Sequence, residues 1–377
     1  MGMQNIVNKF TQKHKSMKRS ITIILTTLLV VLFLLLASWF YRILVLMLLA
    51  RVWRERIKEL RPWAFKAVMW GMVVGLFVTL PRYRYDTNDR VRLIYQDKEG
   101  NPKLPPLTHW AFNALLPEEE ICNAGIVGGA LLPDLVPIGG HILKDFRRDL
   151  WQGKIFNFYA PYSKLNWSLN FPMSGTTAQL FREMGVDNEQ SVYVIRPKDY
   201  DEDKEYPVVF FMHGYLGNWK LYNGILKDLD NCIVMGVGTR DLSGIFTHKD
   251  ISELFTRQLP FLEKLGMKPD KDNLHIIGLS NGGSAVNVAY NKFSRKFKTI
   301  TFISTGIHQT YPIRSKVLLI GGRKDPSSGS MPGAYNRLKR NGTAVDKYWQ
   351  EDEGHFILVN DRNEIVDFLN KNISNMD

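Results

Sequence analysis

A serine between two glycines follows an apolar run of the chain. Residues 278–282 are Gly-Leu-Ser-Asn-Gly, and they come directly after the mostly apolar residues 274–277. A buried strand that ends in Gly-x-Ser-x-Gly and turns into a helix holds a serine hydroxyl on a strained elbow. Ser280 is therefore a candidate nucleophile. The alternative for Ser280 is an ordinary helix N-cap.

Three more polar motifs also follow predicted strands. They are His-Gly-Tyr-Leu-Gly at 213–217, Gly-Gly-Arg-Lys-Asp at 321–325 and Glu-Gly-His-Phe at 353–356, after strands predicted over 208–212, 316–320 and 345–350. In a parallel sheet the carboxyl ends of the strands lie at one edge, where the chemistry takes place. We therefore expect all four motifs to lie near one another.

The order of these motifs resembles that of the α/β-hydrolase superfamily. In that family a serine elbow, an aspartate and a histidine follow one another at strand ends, and the matching residues are Ser280, Asp325 and His355. The resemblance covers residues of about 190–377, and it is greatest to the esterase and polyester-depolymerase-like branch. It implies an α/β-hydrolase fold with a mostly parallel sheet flanked by helices.

The chemistry of these side chains predicts a role for each. The Ser280 hydroxyl needs a base within hydrogen-bond reach, and His355 can take its proton near neutral pH. Asp325 would fix the tautomer of the imidazole and stabilise its charged form. The backbone N–H groups of Tyr215 and Asn281 are the candidate oxyanion-hole donors, each worth roughly 3 kcal/mol in the transition state.

Some of these assignments have rivals. Glu351, Asp352 and Glu353 are near Asp325 in the sequence and Asp241 is a more distant candidate, but we favour Asp325 because its Gly-Gly-x-x-Asp-Pro run ends a strand at the place expected for the acid. His355 could instead be a solvated loop histidine.

The other histidines are expected to be structural or peripheral. We expect His213 to be a structural loop residue and His275 a core residue, while His308 could line the pocket. Only residues 305–315 separate two predicted strands at a place where a lid is common in the family. Any cover over Ser280 must come from residues 239–249, from residues 99–185 or from the bilayer.

Short apolar runs alternate with helical periods from residue 191 onward. Strands are predicted over 191–196, 208–212, 232–237, 274–279, 299–304, 316–321 and 345–350, and helices over 218–229, 251–265, 281–293, 333–341 and 364–373. Apolar strands that alternate with helices indicate a mostly parallel sheet covered on both faces.

The composition locates the charge and limits the function. The net charge is +12, but residues 1–98 hold 17 Lys and Arg against 5 Asp and Glu, whereas residues 99–377 are balanced. This distribution favours membrane-flanking charge over nucleic-acid binding. The two cysteines exclude a disulfide-rich scaffold. The absence of a metal-ligand cluster, a P-loop or a dinucleotide fingerprint in the sequence predicts no cofactor and no metal.

The N-terminal quarter predicts a membrane anchor. One span is expected over 21–41, because residues 21–40 lack charge and match a ~30 Å hydrocarbon core. A second apolar segment, about 64–80, could be another span, an interfacial helix or a helix packed on the domain. We favour two spans, which would put the catalytic domain in the cytoplasm, although the basic residues between the spans break the positive-inside rule.

The sequence therefore predicts three regions and one function. Residues 1–98 are the anchor, 99–185 a Pro-, Gly- and aromatic-rich extension, and 186–377 the catalytic domain. The predicted protein is a membrane-anchored serine hydrolase that acts on carboxylic esters or lipid-like acyl substrates. Alternatives are a peptidase or acyl-thioesterase with the same residues, and a non-catalytic membrane-tethered binding module.

Overall fold

The chain divides into two compact units. The computed structural model describes residues 39–54, 62–79, 90–97, 99–103, 144–145, 147–149, 152, 190–214, 219–238 and 245–373. One unit comprises residues 1–81 with 114–128, and the other comprises residues 82–113 with 129–377. The first unit contains the predicted anchor segments, and the second contains every candidate site residue.

Two apolar helices form the described part of the first unit. Helix α1 spans Trp39–Arg54 and helix α2 spans Pro62–Thr79. They pack on each other where Ile43 lies against Gly75. Several large apolar side chains of the two helices remain exposed, namely Leu46, Leu48, Trp63, Val68, Trp70 and Val74.

The predicted second span, about 64–80, forms helix α2. Within the described residues, however, we find no helix with the length and apolar character needed to cross a bilayer. The two-span prediction is therefore not supported by α2. The first predicted span, 21–41, lies outside the described residues except for its last three positions.

Among the described residues of the second unit, nine strands form one sheet. Their bounds are β1 Val91–Gln96, β2 Pro102–Lys103, β3 Gln190–Ile195, β4 Tyr206–Met212, β5 Ile233–Val237, β6 Pro269–Leu279, β7 Thr299–Ile303, β8 Lys316–Gly322 and β9 Val345–Gln350. The order across the sheet is β2-β1-β3-β5-β4-β6-β7-β8-β9. Strands β4 to β9 pair in parallel, whereas β1, β2 and β3 pair antiparallel.

Helices cover both faces of this sheet. Helices α3 Trp219–Leu226, α8 Ile357–Asn360 and α9 Arg362–Ile373 pack on one face, while α4 His248–Glu253, α5 Leu259–Lys264, α6 Gly283–Phe293 and α7 Met331–Arg340 pack on the other. Successive residues of β4 alternate between the two cores, so Phe210 joins one and Phe211 the other. The predicted α/β class, a mostly parallel sheet flanked by helices, is confirmed.

The helix predicted over 251–265 is interrupted. Residues Leu254–Gln258 form a π-helical turn between α4 and α5. Pro260 has no N–H to donate to the carbonyl of Thr256, so a regular α-helical ladder cannot run through this position.

Strand β1 lies in the region that we assigned to the N-terminal anchor, residues 1–98. It pairs antiparallel with β3, from Val91 opposite Ile195 to Gln96 opposite Gln190. The buried Gln96 side chain also donates from Nε2 to Gln258 Oε1 at 2.6 Å. The edge of the sheet is therefore built from chain that is remote in sequence, and the local pattern gives no sign of that pairing.

Candidate active site

Ser280 lies at the turn between β6 and α6. The strand ends at Leu279, a 3-10 turn covers Ser280–Gly282, and the helix begins at Gly283. The φ angle of Ser280 is +52°, a left-handed conformation that costs a non-glycine residue about 1–3 kcal/mol. The turn is therefore the strained elbow that the sequence pattern predicts.

Close backbone contacts explain the glycines of this elbow. A Cβ atom on Gly278 would lie 2.3 Å from the carbonyl oxygen of Gly282, and one on Gly282 would lie 2.1 Å from the carbonyl oxygen of Met212. Both distances are well below van der Waals contact, so no larger residue fits unless the backbone moves. The elbow after β6 therefore lies in close contact with the end of β4.

His355 connects Ser280 to Asp325. Its Nε2 atom is 3.0 Å from Ser280 Oγ, and its Nδ1 atom is 3.2 Å from Asp325 Oδ1. Ser280 follows β6, Asp325 follows β8, and His355 follows β9. The structure thus brings together the three side chains predicted from the sequence, with both ring nitrogens within reach of a partner.

Asp325 is buried and held by several donors. Its Oδ1 accepts the backbone N–H of Ser327 at 3.0 Å, and its Oδ2 accepts the hydroxyl of Ser328 at 2.8 Å. Burial raises the pKa of Asp325, but the hydrogen bond and charge of His355, together with both serine bonds, outweigh it and hold the pKa below its usual value. The group is therefore a carboxylate at neutral pH and can stabilise an imidazolium.

The rival carboxylates have other partners or are not described. Glu351 and Asp352 each form an ion pair with a basic side chain at the surface, at 2.7 and 2.9 Å. Glu353 accepts an amide N–H at 2.7 Å. Asp241 lies outside the described residues. Of the candidates that the structure describes, Asp325 is the one within ion-pair distance of the histidine.

Of the two predicted oxyanion donors, Asn281 lies among the described residues and Tyr215 does not. Asn281 follows Ser280 in the 3-10 turn that leads into α6, whereas Tyr215 lies outside the described residues. Its neighbour Gly214 is close to the serine, since a Cβ on Gly214 would lie 3.3 Å from Ser280 Cβ. The parallel pairing of β4 with β6 causes this proximity, because it places the ends of the two strands side by side.

Two histidines are buried and neutral. The Nδ1 atom of His275 is 2.8 Å from Thr299 Oγ1 and its Nε2 atom is 2.9 Å from Asn273 Oδ1, as expected for a core residue. The Nδ1 atom of His213 is 2.6 Å from the carbonyl oxygen of Gly214. Burial lowers the pKa of His213 to about 4 and that of His275 to about 3.

The segment between β7 and β8 is an irregular loop. Residues 305–315 contain no helix, and Asn287 of α6 holds the loop by donating to the carbonyl oxygen of Gly306 and accepting the N–H of His308, both at 2.9 Å. The side chain of His308, a predicted pocket residue, is exposed. The other predicted covers, 99–185 and 239–249, lie mostly outside the described residues.

The side chains of three described residues that the sequence analysis did not single out form hydrogen bonds with Asp325 or His355. One is Ser328, described above. Ser304 donates its hydroxyl to the carbonyl oxygen of His355 at 2.9 Å, and Asp145 accepts the N–H of His355 at 3.0 Å. These two partners are 51 and 210 residues from His355 along the chain, so no local motif could identify them.

The comparisons with known proteins return solved structures only. No family model and no curated protein matches the sequence. An esterase from Pyrobaculum calidifontis is 15% identical, with a TM-score of 0.43 over 54% of this chain and 91% of that one. An esterase from Rhizomucor miehei is 14% identical, with a TM-score of 0.41 over 58% and 98%. The acylaminoacyl peptidase of Pyrococcus horikoshii is 15% identical, with a TM-score of 0.39 over 51% and 41%.

Proposed function

We propose that the chain is a serine hydrolase of the α/β-hydrolase type that cleaves carboxylic esters through an acyl-enzyme. One observation carries the proposal: Ser280 Oγ lies 3.0 Å from His355 Nε2, and His355 Nδ1 lies 3.2 Å from Asp325 Oδ1. A hydroxyl, an imidazole and an ionised carboxylate in this row can act as nucleophile, base and orienting group.

The reaction has two halves. Ser280 Oγ attacks the ester carbonyl carbon while His355 Nε2 takes the hydroxyl proton, and His355 then gives that proton to the departing alcohol. The acyl group stays on Ser280. Water, activated by the same imidazole, attacks the acyl carbon and releases the acid. Asp325 stabilises the imidazolium that forms in each half.

The oxyanion of each tetrahedral intermediate needs fixed donors. We assign this role to the backbone N–H groups of Asn281 and Tyr215, each worth roughly 3 kcal/mol. The position of Asn281 before α6 supports the assignment, because the dipole of a helix favours negative charge at its N-terminus. The position of Gly214 beside Ser280 supports a contribution from the neighbouring residue in the same loop.

The Ser280→Ala variant tests this function. We expect it to lose both turnover of p-nitrophenyl esters and labelling by a fluorophosphonate probe, because the acyl and phosphonyl groups both bond to Oγ. Ser252→Ala, a serine on helix α4 outside the proposed triad, is the control and should behave as wild type. A folded wild-type chain that the probe does not label would refute the proposal. Faster cleavage of peptide amides or acyl-thioesters than of esters would refute the ester assignment alone.

We also propose that the N-terminal region holds the enzyme at a membrane. The exposed apolar side chains of α1 and α2, such as Trp63 at 67% and Trp70 at 69% exposure, support this. The excess of Lys and Arg in residues 1–98 supports it too, because basic groups near apolar segments bind anionic headgroups.

A further inference from the structure

A segment far from the site in sequence contacts the main chain of the candidate base. Residues 144–145 and 147–149 are helical, and Asp145 of this segment accepts the N–H of His355 on Oδ2 at 3.0 Å. Both residues are buried, with 6% and 8% of their surface exposed. The contact therefore lies inside the protein, at the main chain of the residue that carries the imidazole.

Arg148 supports this carboxylate. Its Nη1 lies 2.9 Å from Asp145 Oδ1, and its Nε lies 2.9 Å from Asp149 Oδ1. One guanidinium therefore joins two buried carboxylates through two different nitrogens, and its planar shape fixes their spacing. We call Asp145, Arg148 and Asp149 the Asp145 clamp.

The clamp also contacts the chain after His355. Asp149 Oδ2 accepts from Asn360 Nδ2 at 2.9 Å, and the same amide donates to Glu353 Oε2 at 2.7 Å. Glu353 precedes the histidine and Asn360 ends helix α8. The clamp therefore binds the chain at His355 and at Asn360, and Asn360 in turn binds Glu353 on the other side of the histidine.

Gly354 permits the close approach of the clamp. A Cβ atom at this position would lie 2.2 Å from Asp145 Oδ2 and 2.9 Å from Arg148 Nη2. Any larger residue would displace the carboxylate from the backbone of His355. The glycine before the histidine is therefore explained by contact with the clamp.

An ionised carboxylate at the buried position of Asp145 is energetically unfavourable. Burial raises the pKa of Asp145. The hydrogen bond from the His355 N–H and the charge of Arg148 lower it again only in part, so the pKa stays above its usual value. Buried charge of this kind is weak evidence for stability, since apolar packing often serves as well. A role in the geometry of the site accounts for it better.

We propose that Asp145 is a positioning residue that fixes the backbone of His355, so that Nε2 faces Ser280 Oγ. The inference rests on the proposed hydrolase function. The main chain of His355 is held at both ends of the residue, by Asp145 at the N–H and by the Ser304 hydroxyl at the carbonyl at 2.9 Å. Because the backbone sets where the ring can reach, releasing one end misplaces Nε2, and a misplacement of about 1 Å can cost roughly 100-fold in rate.

Substitutions at Asp145 in the full chain test the proposal. Active sites are counted by fluorophosphonate titration, and kcat is expressed per titrated site. We expect Asp145→Ala to lower kcat about 10- to 100-fold with little change in KM. Asp145→Asn should recover part of the rate, because its amide oxygen can still accept the His355 N–H although its amide nitrogen cannot accept from Arg148. Gln258→Ala, which breaks a buried bond near the opposite edge of the sheet, should lower Tm and leave kcat per site unchanged.

Hydrogen exchange at the His355 amide gives a second, activity-independent readout. Exchange in a peptide that contains His355 should accelerate in Asp145→Ala and in Gly354→Ala. The second variant breaks the same contact from the other side and replaces the first if Asp145→Ala does not fold.

An unchanged kcat per site in Asp145→Ala, or equal losses in the Ala and Asn variants, would overturn the positioning role. Unchanged exchange would overturn the contact itself. A wild type without turnover would overturn the proposed function. Faster exchange at His355 in the two variants than in wild type would then still show that the contact exists.

Discussion

Ser280 shows how one residue can depend on strain that its neighbours maintain. Its φ of +52° is unfavourable, and the turn persists because Gly278 and Gly282 allow the surrounding backbone to close on it. The sequence pattern identified this residue although only the Gly278 clash, with Gly282, is local, and Gly282 itself lies against Met212 on β4. The choice of Asp325 over Glu353 was different, since both follow strand ends and only the fold shows which one reaches His355.

Buried histidines predict a pH dependence of stability. The pKa of His275 is about 3 in the folded chain against an ordinary 6.5, so the unfolded chain binds the extra proton between these values. The contribution of His275 to the free energy of unfolding should therefore be fully present above about pH 6.5 and decrease as the pH falls below that value. For His275 the loss between pH 7 and 5 is about 2 kcal/mol.

Urea unfolding at the two pH values measures this loss. In His275→Gln the decline should be smaller by the contribution of one histidine, while His308→Gln, at an exposed position, should keep the wild-type decline. Identical declines in wild type and His275→Gln would contradict the prediction. His213, with a lowered pKa of about 4, contributes in the same direction and remains in both variants.

At the scale of the element, the sequence predicted the last three strands closely, whereas β6 begins at Pro269, five residues before the predicted start. Strand β9 has the predicted bounds, and β7 and β8 differ by one residue at one end. Strands β7 and β8 are mostly apolar and buried because both faces of the sheet are covered, so their signal is strong, whereas β9, Val-Asp-Lys-Tyr-Trp-Gln, ends the described sheet and is only half-buried. Strand β1 was missed because its pairing with β3 bridges distant parts of the chain. The π-helical turn was missed because amphipathic spacing does not reveal hydrogen-bond register.

The elbow between β6 and α6 should not tolerate a side chain at position 282. A Cβ there would lie 2.1 Å from the carbonyl oxygen of Met212. We expect Gly282→Ala to lose roughly 1–3 kcal/mol of stability and nearly all turnover, because the backbone must shift under the nucleophile.

Gly333→Ala is the matched control for that change. Its Cβ would meet only the flexible end of Arg337, at 3.2 Å, within helix α7. Alanine should stabilise this helix by up to about 1 kcal/mol. Chemical denaturation and ester turnover measure both variants, and wild-type values for Gly282→Ala would show that the elbow adapts.

At the scale of the whole molecule, charge and apolar surface are unevenly distributed. Residues 99–377 carry balanced charge, while the excess of basic residues lies in residues 1–98. The exposed apolar side chains of α1 and α2 belong to the same part of the chain. The predicted hydrolase region and the predicted membrane region are therefore chemically distinct.

This asymmetry predicts where membrane affinity lies. The full chain should float with vesicles of phosphatidylglycerol and phosphatidylcholine in a density gradient, also at high salt, because apolar contact adds to charge attraction. A chain that begins at residue 82 should stay unbound while it hydrolyses esters. Equal partition of both chains would refute the membrane proposal and leave the hydrolase proposal intact.

The sequence by itself determined the class of fold, the bounds of most strands and the three side chains proposed for chemistry. It could do so because apolar periodicity and the Gly-x-Ser-x-Gly motif are patterns of neighbouring residues, and the order of the motifs is visible along the chain. Only the tertiary structure decided that Asp325 reaches His355, that β1 completes the sheet edge and that Asp145 holds the backbone of His355. These contacts join residues far apart in sequence, and they depend on which strands lie side by side.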